Sequence, residues 1–304
     1  VHAQGAGFPN RTIRLIVGFA PGGTTDVAAR LLAPRLQAAL GQSVVVENRA
    51  GAGSNIATEA VTRAAPDGYT LLLGTIGGLA VNPTLYGNLS FDPLTDLTAI
   101  TRVAMILNVL AVPADRPWRS VAELVAAARA RPLSFGSSGV GGAGHLAGEQ
   151  FNMIGGMQNT HIPYRGGGPL IADLITGQFD FAFTPSSGAR PQAEAGRARI
   201  LAVATATPSP LLPGVPPVAA TPGLAGFDAQ DWSTLMAPRG LPAPILAILH
   251  RAAATALAEA EVIQALAQRG MEATPSSPEE CAAFIRSETA KWAPIVRASG
   301  ARPD

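Results

Sequence analysis

The sequence predicts an α/β protein folded as two similar lobes. Three observations lead there. Short runs of Ile, Val, Leu and Phe alternate with longer amphipathic runs, the pattern of parallel strands covered by helices. That alternation occurs as two separate βαβ series along the chain. Finally, the strand ends open into turns rich in Gly, Ser and Thr. A length of 304 residues allows about two domains, and a 47% hydrophobic composition can fill their cores.

The elements follow in order. "TIRLIVGF" reads as a strand that breaks at Pro21-Gly22-Gly23 and leads into a helix from about Asp26 to Leu40. "SVVVEN" is the next strand, "SNIATEAVTRAA" the next helix and "DGYTLLLGT" a third strand, giving a parallel βαβαβ sheet. "NVLAVP" is another strand, and Ser120 with Glu123 forms a capping box that opens the helix "SVAELVAAARA". The second series runs "LSFGSS", "GHLAGEQFNMIG", "NTHIPY", "PLIADLITG", "FDFAF" and "ARILAVAT". From Thr207 to Pro222, five prolines exclude helix interior and central strand, so this stretch is an extended loop. After "AQDWSTLMAP" come two helices, "APILAILHRAAATALAEA" and "SPEECAAFIRSETAKWAPIVRAS". The second starts with Ser277 as cap and Pro278 at its first position. Having no strands of their own, these helices are expected to return to the first lobe.

Composition excludes several classes. The net charge is +1 and no Lys/Arg cluster stands out, which argues against nucleic acid. The single cysteine, Cys281, forms no internal disulfide or zinc cage and reads as an inert, buried thiol. No apolar run reaches the roughly 18 to 20 residues of a membrane helix. Val1 and Ala3 fit the tail of a removed export signal.

The chemistry lies at the strand ends. "APGGTTD", "GTIGG", "GSSGVGGAGH", "RGGGP" and "TPSSG" offer backbone N–H and hydroxyl donors with few ionisable groups. In open α/β sheets ligands bind outside the carboxyl ends of strands. A donor set of this kind suits a carboxylate, and helix N-termini add partial positive charge. Asp26 reads foremost as a first-turn residue complementing its helix dipole, with Thr24 or Thr25 as cap. "GVGGAG", Gly139 to Gly144, fits GxGxxG, but the second strand ends in "HIPYRG", where Arg165 replaces the expected acid. An NADP-dependent oxidoreductase is therefore a minor alternative. "FGSSG" is not a nucleophile elbow, and no spacing of His, Cys, Asp or Glu marks a metal site. His161 and His250 read as packed or surface residues, and Trp118, Trp232 and Trp292 are too dispersed for a base-stacking platform.

On these segments the chain resembles Bug-type receptors, the periplasmic solute-binding proteins of tripartite tricarboxylate transport systems. "FPNRTIRLIVGFAPGGTTDVAARLLAPRL", "VVVENRAGAGSNIATEAV" and "PDGYTLL" carry the likeness, which extends over nearly the whole chain. The resemblance implies a type II periplasmic-binding-protein fold, with crossing hinge strands joining two lobes that close on ligand. Lobe 1 would comprise residues 1–109 plus 228–304, and lobe 2 residues 110–227. It further implies an exported, non-enzymatic, cofactor-free protein, with a monomer as the default. Such a protein would pass a small carboxylate to membrane permease subunits; a sensory receptor on the same fold is the alternative. Carried over, the ligand residues are Phe19, Ala20, Gly22, Gly23, Thr24 and Asp26 in the first loop, and Thr75 and Ile76 in the third-strand loop. The second lobe adds Ser137, Ser138, Gly139, Gly142, His145, Tyr164 and Gly166. Thr184 stands where members of the family commonly carry aspartate. The loss of that carboxylate points to a plain mono- or dicarboxylate, including an aromatic one, over an amino acid.

Overall fold

The computed structural model describes residues 7–303, so the expectation about Val1 and Ala3 lies outside the described residues. The first series forms β1 (Ile13–Val17), α1 (Thr24–Leu40), β2 (Val44–Asn48), α2 (Asn55–Thr62) and β3 (Thr70–Thr75). A π-turn at Gly77–Val81 runs into α3 (Asn82–Leu85), followed by α4 (Pro93–Asp96) and β4 (Leu97–Ile106). The second series comprises β5 (Asn108–Pro113), α5 (Val121–Ala130), β6 (Ser134–Ser137), α6 (Ala143–Gly155), β7 (Thr160–Pro163), α7 (Gly167–Ile175), β8 (Phe181–Pro185), α8 (Ser186–Glu194) and β9 (Ala198–Val203). The chain ends with β10 (Asp231–Pro238), α9 (Ala243–Ala258), α10 (Ala260–Ala267), β11 (Met271–Ala273) and α11 (Pro278–Ser299).

Two sheets result. The first has the order β11-β4-β10-β3-β1-β2 and the second β7-β6-β8-β5-β9. The parallel βαβαβ unit forms as expected: β1 pairs β2 with Ile13 opposite Val44, and β3 with Leu15 opposite Leu71. The sheet is not wholly parallel, however. β10 runs antiparallel between β3 and β4, and β11 pairs antiparallel at the edge. β4, β10, β11, α3, α4, α8 and α10 have no counterpart in the sequence reading. "LTAITRVAMI" contains Thr101 and Arg102, which interrupt the apolar pattern of a strand that crosses between sheets.

That crossing is short. Ile106 ends in the first sheet and Asn108 begins in the second, with Leu107 between them. The return from β9 to β10 passes through the Pro-rich stretch, which is loop apart from one 3₁₀ turn, Val218–Ala220. Leu211, Leu212 and Val215 of that stretch pack on the outer face of the second sheet.

The core forms three blocks. One covers the α1/α9 face of the first sheet, including Leu15, Leu36, Leu235 and Leu249. A smaller block around Val109, Leu174 and Phe179 covers the outer face of the second sheet. The largest is continuous through both sheets, from Ile16 and Leu72 to Phe135, Phe181, Trp232 and Trp292.

The terminal helices divide their work. α9 packs on α1, as a return to the first lobe requires, whereas α11 also packs against α6 of the second series. α11 begins with the expected Ser277 cap, which closes into a full capping box in which Ser277 and Glu280 bond each other's backbone N–H. The box at Ser120 is only half formed. Its hydroxyl accepts from the Glu123 N–H at 3.2 Å, but the Glu123 carboxylate takes the Arg119 N–H at 2.7 Å. Cys281 is buried, and burial pushes its thiol up to about 12 despite nearby Arg102.

Glu288 fastens α11 to the first sheet. Its Oε2 accepts both the Trp232 and the Trp292 indole N–H, each at 2.9 Å, and Lys291 bonds its other oxygen at 3.1 Å. The two tryptophans, far apart in sequence, thus meet on one carboxylate. Replacing Glu288 with Ala leaves two buried donors without partners, at about 1–3 kcal/mol each. Urea unfolding followed by tryptophan fluorescence is expected to show a loss of about 2–4 kcal/mol, and a clearly smaller loss for Glu288→Gln.

Candidate functional site: a donor-lined cleft between the sheets

A cleft of about 460 Å³ opens between the two sheets. One wall carries Phe19, the β1–α1 loop from Gly22 to Thr25, and Thr75 to Gly77 after β3. The other carries Ser138 and Gly142 before α6 with Ala143 at its start, Gly166 before α7 with Gly167 and Gly168 in its first turn, Thr184 and Pro185 at the end of β8, and Ser187 and Gly188 in the first turn of α8. Asp231, the first residue of β10, completes the lining.

Four helices begin at this cleft. First-turn residues of α1, α6, α7 and α8 all line it, and none of the four has a side-chain cap. The first N–H groups of a helix have no intrahelical acceptor, and the macrodipole places partial positive charge at that end. The cleft therefore concentrates donors aimed at an anion. Gly22 (φ 87) and Gly166 (φ 105) hold turns that a side chain would strain, keeping the backbone bare where a ligand approaches. The Thr75 hydroxyl is buried and has no hydrogen-bond partner among the described residues. A second cavity of about 320 Å³ adjoins the cleft and shares Phe19, Gly77, Ser138 and Gly142 with it.

Of the expected residues, Phe19, Gly22, Gly23, Thr24, Thr75, Ile76, Ser138, Gly142, Gly166 and Thr184 come together in the cleft lining. Gly139 lines the adjoining cavity, and Ala20 is exposed on its loop outside both linings. Four others lie outside the cleft lining, Asp26 in the first turn of α1 as its foremost reading had it. Asp26 is buried beneath the first loop, where it accepts the Gly22 N–H at 2.9 Å, Arg30 at 2.9 Å and Asn48 at 2.8 Å. Burial alone would raise its carboxyl, but the bonds from Arg30, Gly22 and Asn48 outweigh that and hold it at about 2. Gly23, not Thr24 or Thr25, is the N-cap of α1. Ser137 turns inward to pair with His161 Nε2 at 2.7 Å. His145 is buried, accepts the Gly141 N–H at 3.1 Å and stacks on His161 at 4.0 Å. Burial lowers His145 to about 4 and, with the His145 ring beside it, His161 to about 3, so both are neutral at pH 7. Tyr164 donates to Asp173 at 2.8 Å, away from the cleft. These four support the loops from behind instead of lining the cleft.

Thr25, Gly77, Ala143, Gly167, Gly168, Ile171, Pro185, Ser187, Gly188 and Asp231 enter the lining without having been singled out. The first-turn residues among them could have been found from the helix starts; Asp231 carried no local signal. Part of its surface opens to the cleft, and Oδ1 accepts the Trp232 N–H at 2.7 Å. Burial raises its carboxyl to about 7, against the lowering Trp232 bond and with a further push from Glu288. The loss of aspartate at Thr184 therefore does not leave the cleft without a carboxylate.

Two α/β lobes with a donor-lined cleft between them define a solute-binding protein. The chain belongs to the tripartite tricarboxylate transporter family receptors, TctC, whose family model matches residues 28–301. It is 37% identical to protein BugT of Bordetella pertussis over 298 residues, covering 97% of this chain and 91% of that protein. Among solved structures it is similar to R. palustris Rpa4515 with adipate, at 37% identity and a TM-score of 0.87, covering 98% of this chain and 100% of that one. It is also similar to MatC from Rhodopseudomonas palustris with bound malate, at 30% identity and a TM-score of 0.83, covering 95% of this chain and 100% of that one. The family is one of receptors, so the oxidoreductase alternative at Gly139–Gly144 falls; that run forms the turn and cap of α6. No helix among the described residues is long and apolar enough to cross a membrane.

The Asp26 clasp sets an acid dependence. Its folded carboxyl lies below the ordinary aspartate value, so its stabilisation is full above about pH 4 and fades as pH falls toward about 2. Asp26→Asn is expected to cost on the order of 1–2 kcal/mol at pH 7, discounted for the exposed Arg30 partner. The gap between wild type and variant should close in unfolding titrations run from pH 6 down to pH 2.

Proposed function

We propose that this protein captures a small carboxylate between its lobes in the periplasm and delivers it to the permease subunits of a tripartite tricarboxylate-type transporter. The observation that carries this reading is the convergence of four helix N-termini without side-chain caps on one cleft. A carboxylate accepts several hydrogen bonds at once and is favoured by each dipole, by about 0.3–1 kcal/mol when exposed and up to about 2 when partly buried. The relatives agree in class, since the similar structures hold adipate and malate. The family likeness supports the periplasmic location and the permease partner, and the protein acts as a monomer.

Binding couples to closure. The lobes divide at Leu107, two residues before the expected 109/110 boundary, and along the chain before β10. Only a closed cleft presents donors from both walls to one ligand. A ligand shifts that equilibrium by its differential affinity for the closed form.

Mass spectrometry of freshly purified, then denatured, protein is expected to release a near-stoichiometric small carboxylate, whereas a bound nucleotide would overturn the proposal. In thermal-shift assays, a carboxylate at about 100 times its Kd should add about 2.7 kcal/mol. Thr75→Val removes a hydroxyl with no partner among the described residues. It should weaken carboxylate binding by about tenfold, read by calorimetry, with little change in stability.

A further inference from the structure

Charge is distributed unevenly in the cleft. Apart from Asp231, the polar side chains of the lining are hydroxyls, those of Thr24, Thr25, Thr75, Ser138, Thr184 and Ser187, and four helix starts add backbone N–H donors. Among the described residues lining it, Asp231 is the sole ionisable group, and no Lys, Arg or His is present. Its Oδ1 is taken by the Trp232 N–H, and Oδ2 has no hydrogen-bond partner among the described residues. Lys291 of α11 is already bound to Asp228 at 3.4 Å and Glu288 at 3.1 Å. Asp231 thus faces the ligand space with an acceptor that the protein leaves unmatched.

Resting on the carboxylate reading above, we infer that the ligand is an amino-carboxylate whose ammonium group is held by Asp231 while its carboxylate meets the helix N-termini. A plain dicarboxylate would bring a second negative end beside the Asp231 carboxyl, which would have to take up a proton or repel it. Like charges that close, away from bulk water, disfavour each other, and no lining cation offsets them. An ammonium instead donates to the free oxygen and relieves the penalty that burial places on the ionised carboxyl. The two ends of such a ligand match the two chemistries of the cleft, with donors for its carboxylate and an acceptor for its nitrogen. Thr184, whose buried side chain also lines the cleft, has no charge and leaves Asp231 as the sole selector of the nitrogen.

Calorimetry at pH 7.5 on ligand-free full-length protein with matched pairs tests the inference. Succinate is compared with 4-aminobutyrate, adipate with 6-aminohexanoate, and glutarate with L-glutamate. In at least one pair the amino compound is expected to bind at least tenfold more tightly, and Asp231→Asn should shrink that ratio at least tenfold. A dicarboxylate that equals or exceeds its partner in every pair overturns the inference while leaving the carboxylate receptor intact. So does an unchanged ratio in the Asn variant. Should that variant fail to fold, the wild-type ratios alone decide. Binding of neither kind of compound would bring down the carboxylate reading itself, and this inference with it.

Discussion

The first turn of a helix carries N–H groups with no acceptor inside that helix, and the rest of this molecule is arranged around where those groups point. Strand order sends β1, β6, β7 and β8 toward one cleft, and the helix after each strand begins there without a side-chain cap. Four sets of unmet donors would be a liability in a closed interior. In a cleft they form an anion site that needs neither lysine nor arginine. The glycines beside them keep side chains out of the approach. Polar side chains in the same loops are used instead to set loop shape. Asp26 holds Gly22 in place, and His145 holds Gly141.

Joining two lobes without fusing them is the second requirement. β4 passes into β5 through the single residue Leu107, which couples the sheets closely. The return path through the Pro-rich stretch is longer and packs on the second sheet. α11 then lies across both, gripping the first sheet through Glu288 and touching α6 of the second. A hinge of this kind suits rigid-body closure, because each lobe keeps its own core while the shared block lies along the crossing.

Much of the architecture was legible in the chain. The alternation of apolar and amphipathic runs predicted most strands and helices, since burial on both faces of a parallel strand leaves a continuous apolar run. The cap at Ser277 and the buried Cys281 also followed from local pattern, and ten of the cleft-lining residues from the family resemblance. β4 and β11 did not: one is broken by polar residues, and the other is only three residues long. The antiparallel seat of β10 depends on which edge is free once the parallel unit has formed, a matter of assembly and not of local sequence.

The sequence by itself determined the alternating elements, the bare turns at their ends and the donor chemistry that follows, because those depend on neighbouring residues. Only the tertiary structure decided which side chains line the cleft. Asp26, Ser137, His145 and Tyr164 sit in the right loops but face their supports, and Asp231 reaches the cleft from a strand far along the chain. Local pattern sets where a backbone turns. The direction of a side chain, and the charge it meets, depends on partners brought together from distant parts of the chain.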